Sequence, residues 1–533
     1  MAKEGRCILL YGFSEGCPEM SKLTKTKRPV LLCVGLLLLL SLLSCCNGKE
    51  KPGASSRLTI GVGRDLYFGP SSPIFLHGSL NVWEGLTGLD HRLAVRPQLA
   101  VNWEVRKSGC LWFFHLRRDV SFHDGEPLNA EVVVKNIERM RNPRFDLYGV
   151  YRNVKSVAVV DQFSVSFLLH TPDPVFPSRL SYFGSPIFSL KSFDSRGNIK
   201  EPLGTGPFML KGHRKGESIT LVRNERYYLG IPMLKEIVYR YIPNPSTRVS
   251  ALKAGEIDAI VDIGGILPEQ VPLLNTHRDI AIFKQEVATT HYILFNTRRL
   301  PFSSQGLRQA VSRTVDREEM VQTILGGYAL PAREFFSPLA QVWMSKDPKS
   351  SEGSTIAERP TENASKHSQK VILVVNAGFA KRWPYRPVSE VIQASLGDMG
   401  INAEINMLEM GAWKDALKRG NFDISLCPYT LMTGDPDFFF SWWMHSKGQL
   451  NVDRGIGYQN PVADDLIEEA RSEMNLERRK ETYDQLQEII ARDLPITPLF
   501  HDVAIYACKK RVQGLRLDAF FRPCLGKTWM KIH

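Results

Sequence analysis

Few residues in this chain are spaced for chemistry. Gly12-Phe13-Ser14-Glu15-Gly16 has the G-x-S-x-G spacing of a nucleophile elbow, where a strand and a helix would hold Ser14 on a sharp turn. It precedes the leucine run "LLLLLSLL" instead of sitting in an α/β-hydrolase pattern, so the match is accidental. The 12 histidines are scattered, with no H-E-x-x-H and no close pair on one helix face. No Walker A loop, no G-x-G-x-x-G after a strand and no C-x-x-C is present. No enzyme, cofactor or metal centre is expected. What remains is "GDPDFFFSWWMH", with Asp435, Asp437, Trp442, Trp443 and His445 in one short stretch. Asp435-Pro436 suits a turn that caps a following helix. Adjacent tryptophans on a helix point in different directions, so at most one of Trp442 and Trp443 faces a ligand.

The elements that would position these residues alternate between strands and helices. "RLTIGVG" reads as a strand, and "GCLWFFHLRRDVSF" alternates as a half-buried strand does. Asp124-Gly125 then turns the chain. "NAEVVVKNIERMRN" places Val132, Val133, Asn136, Ile137 and Met140 at helical spacing behind Asn129 as the cap. "KSVAVVDQFSVSFLLH" predicts a hairpin, and "GEIDAIVDIG" and "HYILFNT" predict buried strands. "SQGLRQAVSRTVDREEMVQTIL" predicts one helix, and "NPVADDLIEEARSEMNLERRKETYDQLQEIIARDLP" a helical pair. The polar stretch 345–370 predicts a long surface loop, and no period of solenoid or propeller type repeats.

A basic stretch with Lys22, Lys25, Lys27 and Arg28 precedes an apolar run from Val30 to Ser44. That run is about 15 residues, short of the roughly 20 that span a bilayer, and reads as a secretory signal. Leu42-Leu43-Ser44-Cys45 resembles a lipobox, which implies cleavage and lipid attachment at Cys45. The acidic residues Glu4, Glu15 and Glu19 suit no signal, so Met20 is the expected start. Cleavage leaves 489 residues (533 − 44), with 62 basic against 53 acidic side chains. That excess is modest and forms no basic arm, so nucleic acid is not an expected partner. At 43% hydrophobic and 23% charged, the chain has the composition of a folded protein. Five cysteines follow Cys45, too few for a disulfide framework, although Cys508 and Cys524 are free to pair.

The segment "RPQLAVNWEVRKSGCLWFFHLRRDVSFHDGEPLNAEVVVKNIERM" closely resembles the defining stretch of the extracytoplasmic solute-binding proteins of family five, the binding subunits of peptide and nickel ABC transporters. Leu99, Ala100, Trp103, Trp112, Phe114, Leu116, Arg117, Val120, Phe122, Asp124, Gly125, Pro127 and Ala130 carry the likeness, and Glu131 stands where the family usually has aspartate. "VWEGL", "PLGTGPF", "VRNERYY", "IPNPSTRVSALKAGEIDA" and "GDPDFFFSWW" extend it along the chain. The resemblance implies an α/β, bilobed periplasmic-binding-protein fold of type II with an extra domain in the first lobe. The implied limits are a signal at 1–44 and a linker at 45–55. Domain I is 56–83 with 204–285 and 499–533, domain II is 84–203, and the second lobe is 286–498.

Function is implied in the same way. The chain would capture short peptides outside the cytoplasmic membrane and pass them, by lobe closure, to a permease and its ATPase. It would be a monomer, lipid-anchored on the periplasmic side. Dipeptide-binding members hold the ligand's ammonium with an aspartate that falls here at Met432, so the anchor is displaced to Asp435 or Asp437, or absent. Tyr429 and the tryptophans would line the cleft, with Tyr292 and Asn296 on the strand entering the second lobe. A nickel or metallophore subunit is the alternative, with Arg144 clamping a carboxylate-rich chelator and His445 near the metal. An adhesive or sensory surface lipoprotein is the alternative of another class.

Overall fold

Bulky side chains at alternate positions turn Trp112, Phe114 and Leu116 inward from the strand Leu111–Leu116. This strand belongs to a four-stranded antiparallel sheet ordered Ala100–Arg106, Leu111–Leu116, Ser164–Leu169, Val154–Asp161. The structure is a computed structural model and describes residues 56–66, 80–145, 148–181, 185–343 and 370–531. The Ser14 motif, the signal, Cys45, the linker 45–55 and the loop at 345–369 lie outside the described residues. Helix Ala130–Met140 packs on the four-stranded sheet through Val132, Val133, Ile137 and Met140, the positions its spacing predicts. Asn129 caps it, its side chain accepting from the Val132 N–H at 3.0 Å.

A second, 11-stranded sheet runs through the molecule. From one edge its order is Ala403–Leu408, Val371–Asn376, Ile424–Thr430, Ile280–Phe295, Ile496–Lys509, Ala259–Ile260, Arg57–Val62, Glu236–Tyr241, Ser218–Arg223 and Phe208–Arg214, with Ala329–Pro331 paired to one side. The strands Ile280–Phe295 and Ile496–Lys509 are far longer than the rest and lie together at its middle. Their register slips between Glu286 and Thr290 and again between His291 and Tyr292. Before the slips their neighbour is Ala259–Ile260, and after them it is Ile424–Thr430. Such irregularities bend a strand, so two continuous strands join two ends of one sheet. Separate cores form at the two ends, around Leu58, Ile60 and Ile237 in the first half and around Tyr292, Leu294 and Phe422 in the second.

Three local expectations change. "SQGLRQAVSRTVDREEMVQTIL" forms two helices, Gln305–Thr314 and Arg317–Thr323, because Val315 is extended and Asp316 caps the second by accepting from the Glu319 N–H at 2.8 Å. "GEIDAIVDIG" contributes only the short strand Ala259–Ile260. Cys508 and Cys524 are free thiols, the first buried and the second exposed. The helical pair forms as Pro461–Ser472 and Leu476–Asp493, the second ending at Leu494 in the left-handed region ahead of Pro495. Among the described residues, no helix is long and apolar enough to cross a membrane.

Candidate functional site

The strand Ile424–Thr430 delivers the chain to Gly434 at the seam between the two halves. Gly434 has φ +70, and a Cβ there would come within 2.5 Å of the Leu93 carbonyl oxygen. Leu93 sits in the tip between the short strands Thr87–Leu89 and Val95–Pro97 of the first half. Only glycine allows that backbone approach.

The two aspartates that follow have different fates. Asp435 is held by Arg479 through a fork, with Nη1 to Oδ2 at 2.5 Å and Nη2 to Oδ1 at 2.7 Å. Its Oδ1 also accepts from the Asp437 N–H at 2.9 Å. Arg479 further donates to the Tyr483 hydroxyl and the Ala470 carbonyl. All of these groups belong to the second half, and they take three of the carboxylate's roughly four acceptor sites. An ammonium anchor at Asp435 would have to share the carboxylate with Arg479. The turn reading holds in part, since Asp435 supports the backbone of the next turn.

Asp437 reaches across the seam. Its Oδ2 accepts from Arg179 Nη2 at 2.5 Å, while Arg179 Nε donates to Asp173 Oδ2 at 2.8 Å. Asp437 is 1% exposed and Arg179 8%. Its Oδ1 is buried without a hydrogen bond among the described residues and has Arg471 Nε 3.5 Å away. Burial pushes the Asp437 carboxyl up, but Arg179 and Arg471 outweigh it and hold it below the usual aspartate range. Burial wins at Asp173, whose carboxyl is raised despite Arg179. The Phe438 ring lies 4.3 Å from the Arg179 guanidinium and 4.5 Å from the Trp442 ring.

The two tryptophans part as their spacing requires. Trp442 is half-buried at the seam, where a Cβ on Gly149 of the first half would meet it at 3.8 Å. Trp443 is 1% exposed in the core against Phe439, Tyr292 and Tyr429, its indole N–H without a partner among the described residues. Tyr429 is half-buried, and burial with the nearby Tyr292 raises its phenol well above the ordinary value. Tyr292 and Asn296 are buried and bonded within the second half. The Tyr292 hydroxyl donates to the Phe335 carbonyl, and Asn296 Nδ2 donates to the Gly420 and Phe422 carbonyls at 3.2 and 3.0 Å.

Arg144 and His445 are placed elsewhere. Arg144 is exposed and donates to the Arg196 carbonyl at 2.5 Å and Asn198 Oδ1 at 3.2 Å, so it ties down a turn of its own half. His445 Nδ1 accepts from the Lys447 N–H at 3.0 Å, and its ring faces Asp464 and Glu468 on helix Pro461–Ser472. Among the described residues, no group of three potential metal ligands is gathered.

Sequence reasoning passed over three arginines at this seam. Arg179 and Asp173 flank "PVFPS", a stretch with no motif to point at them. Arg479 did carry a signal, since it lies four residues before Tyr483 on the buried face of its helix. Arg382, in "KRWPYRP", sits where Gly264 of the first half meets its backbone; a Cβ on Gly264 would be 2.5 Å from the Arg382 Cα. The Arg382 guanidinium has no hydrogen bond or ion pair among the described residues. Burial and the nearby Arg64 lower its pKa, against the pull of Asp262. Arg64 itself is paired with Asp262 at 2.8 Å.

Comparison with known proteins places this geometry. The family model described as bacterial extracellular solute-binding proteins, family 5 Middle, matches residues 94–451. The peptide transport periplasmic protein SapA of Salmonella typhimurium is 27% identical over 453 residues, covering 80% of this chain and 82% of that one. The dipeptide-binding protein of Pseudoalteromonas sp. SM9913, solved with Met-Leu, aligns with a TM-score of 0.73 at 23% identity, over 89% of this chain and 100% of that one. NikA of Brucella suis, solved with Fe(III)-EDTA, aligns at 0.76 and 22%, over 89% and 100%. The structural likenesses show the fold, which is bilobed. The chain belongs to the bacterial extracellular solute-binding proteins of family 5.

Proposed function

We propose that this protein captures short peptides between its lobes, outside the cytoplasmic membrane, and hands them to the permease of an ABC importer. The observation that carries this reading is the unequal charge along the seam. At one place Asp437 offers a buried carboxylate oxygen with no hydrogen bond among the described residues. At another, Arg382 offers a half-buried guanidinium with no partner among the described residues. A zwitterion complements that arrangement, with its ammonium to Asp437 and its carboxylate to Arg382, because a charge in a dry cleft needs a partner. Trp442 and Tyr429 add aromatic surface for side chains. The peptide-binding names of relatives such as SapA point the same way.

The lobes are assigned as the sequence suggests, with domain I at 56–83, 204–285 and 499–533, domain II at 84–203 and the second lobe at 286–498. The two long strands straddle the limits at 286 and 499, where a hinge belongs. Cleavage before Cys45 and its acylation would keep the monomer beside its permease. Native mass spectrometry with metal analysis of the same sample tests the reading. Bound peptide masses that vanish on mild denaturation are expected. Stoichiometric nickel with a small chelator and no peptide would replace the reading with metallophore capture.

A further inference from the structure

We propose that Arg179 is a positioning residue that locks the closed form, and that its release is built into the charges on either side. This rests on the reading of a closing cleft. Arg179 is held by Asp173 of its own lobe at 2.8 Å and by Asp437 of the other lobe at 2.5 Å. Asp437 in turn has Arg471 of its own lobe 3.5 Å from Oδ1. If the seam parts, Asp173 keeps Arg179 and Asp437 keeps Arg471, so neither lobe is left with a stranded charge. Two arrangements of the same four groups are therefore available, which is what a reversible switch needs.

Closure trades hydration of Asp437 and Arg179 for the pair between them, over the face of Phe438. Such a burial is close to balanced when both partners are present, and strongly unfavourable when one is missing. The lock thus reports register: only a seam closed at Gly434–Leu93 and Trp442–Gly149 brings Arg179 to Asp437. Asp437 also carries the oxygen assigned to the ligand's ammonium. Occupancy and closure then meet on one carboxylate, with Oδ1 for the ligand and Oδ2 for the opposite lobe.

Hydrogen–deuterium exchange on the full chain tests this, alone and with a tryptic digest of casein whose retained peptides are counted by native mass spectrometry. Arg179→Gln and Asp437→Asn are each expected to speed exchange on both sides of the seam, at 176–181 and 438–442, by roughly tenfold or more. Exchange in the core strand Leu111–Leu116 should stay unchanged, which separates opening from unfolding. The triple variant Asp173→Asn/Arg179→Met/Asp437→Leu, which leaves no buried charge without its partner, should return both segments toward wild-type protection, a rescue that a merely structural role does not produce. Exchange that rises only in the substituted segment, or a triple variant as open as the singles, overturns the lock. A wild-type chain whose two segments are unprotected under every condition also overturns it, since there is then no closed form to hold. A wild-type chain that retains no casein peptide refutes the peptide reading alone, because the ligand-free exchange still decides the lock.

Discussion

Two buried acidic sites, one at Glu84 and one at Asp435–Asp437, differ in where their partners come from. Glu84 is 3% exposed and accepts from Gln98 at 2.8 Å, Thr205 at 2.9 Å, Tyr227 at 2.9 Å and Tyr228 at 3.1 Å. Every donor lies in the first half of the chain. Gly204 and Gly206 make room for this, since a Cβ on either would come within 2.4 Å of backbone atoms at Asn81 or Val82. The family motifs "VWEGL" and "PLGTGPF" are thus the two walls of a structural joint. Asp435 is equally self-contained in the second half, whereas the hydrogen bond that Asp437 accepts from a side chain comes from across the seam, from Arg179. A carboxylate whose partners share its lobe sets the fold; one whose partner lies opposite sets the cleft.

The sharpest way to break that contrast is Asp435→Ala. It strands the Arg479 guanidinium at 3% exposure, and stability is expected to fall by roughly 3–5 kcal/mol. Urea unfolding followed by tryptophan fluorescence checks it, since Trp343 packs edge-on to Tyr483 in the same cluster. Glu84→Gln comes next, at about 2 kcal/mol, because it replaces an acceptor with a group that meets donors. Chemical denaturation should show the loss, while peptide retention by the folded protein stays at the wild-type level.

Acid separates the two sites by sign. Burial raises the Glu84 carboxyl above the ordinary glutamate value, outweighing its four hydrogen bonds. The folded state therefore binds that proton more tightly, and the burden of the buried charge is relieved as pH falls through the raised value toward the ordinary one. The Asp437 carboxyl is depressed, so its contribution is present above the ordinary aspartate value and is lost only as pH falls through the depressed one. Thermal melts across mildly acidic pH should show a stabilising limb that Glu84→Gln removes and Asp437→Asn leaves. The smallest effect belongs to Arg144→Ala. Its partners are one exposed turn, so stability should move by no more than about 0.5 kcal/mol and peptide retention not at all.

Local pattern made much of the fold legible. The cap at Asn129, the buried face of helix Ala130–Met140, the hairpin Val154–Leu169 and the helical pair before Pro495 all follow from periods and stop signals within a few residues of themselves. The break at Val315-Asp316 was written there too, as an aspartate three residues before Glu319, but the apolar period running through it masked the cap. Expectations for the site fared differently. "GDPDFFFSWW" is the stretch whose Asp437 meets Arg179, and the different directions of Trp442 and Trp443 follow from helical geometry alone. The bonds that Tyr292, Asn296, Arg144 and His445 make were not legible, because which carbonyl or side chain a polar group meets depends on what packs opposite it.

By itself, the sequence determined the elements, their order and the family, since period, caps, turn residues and motif spacing act over short distances along the chain. Only the tertiary structure decided that Asp435 answers to Arg479 and Asp437 to Arg179, partners 44 and 258 residues away. Two aspartates separated by one proline have nearly the same local sequence. What distinguishes them is which guanidinium the fold carries to each, and in a buried seam that pairing outweighs any local preference.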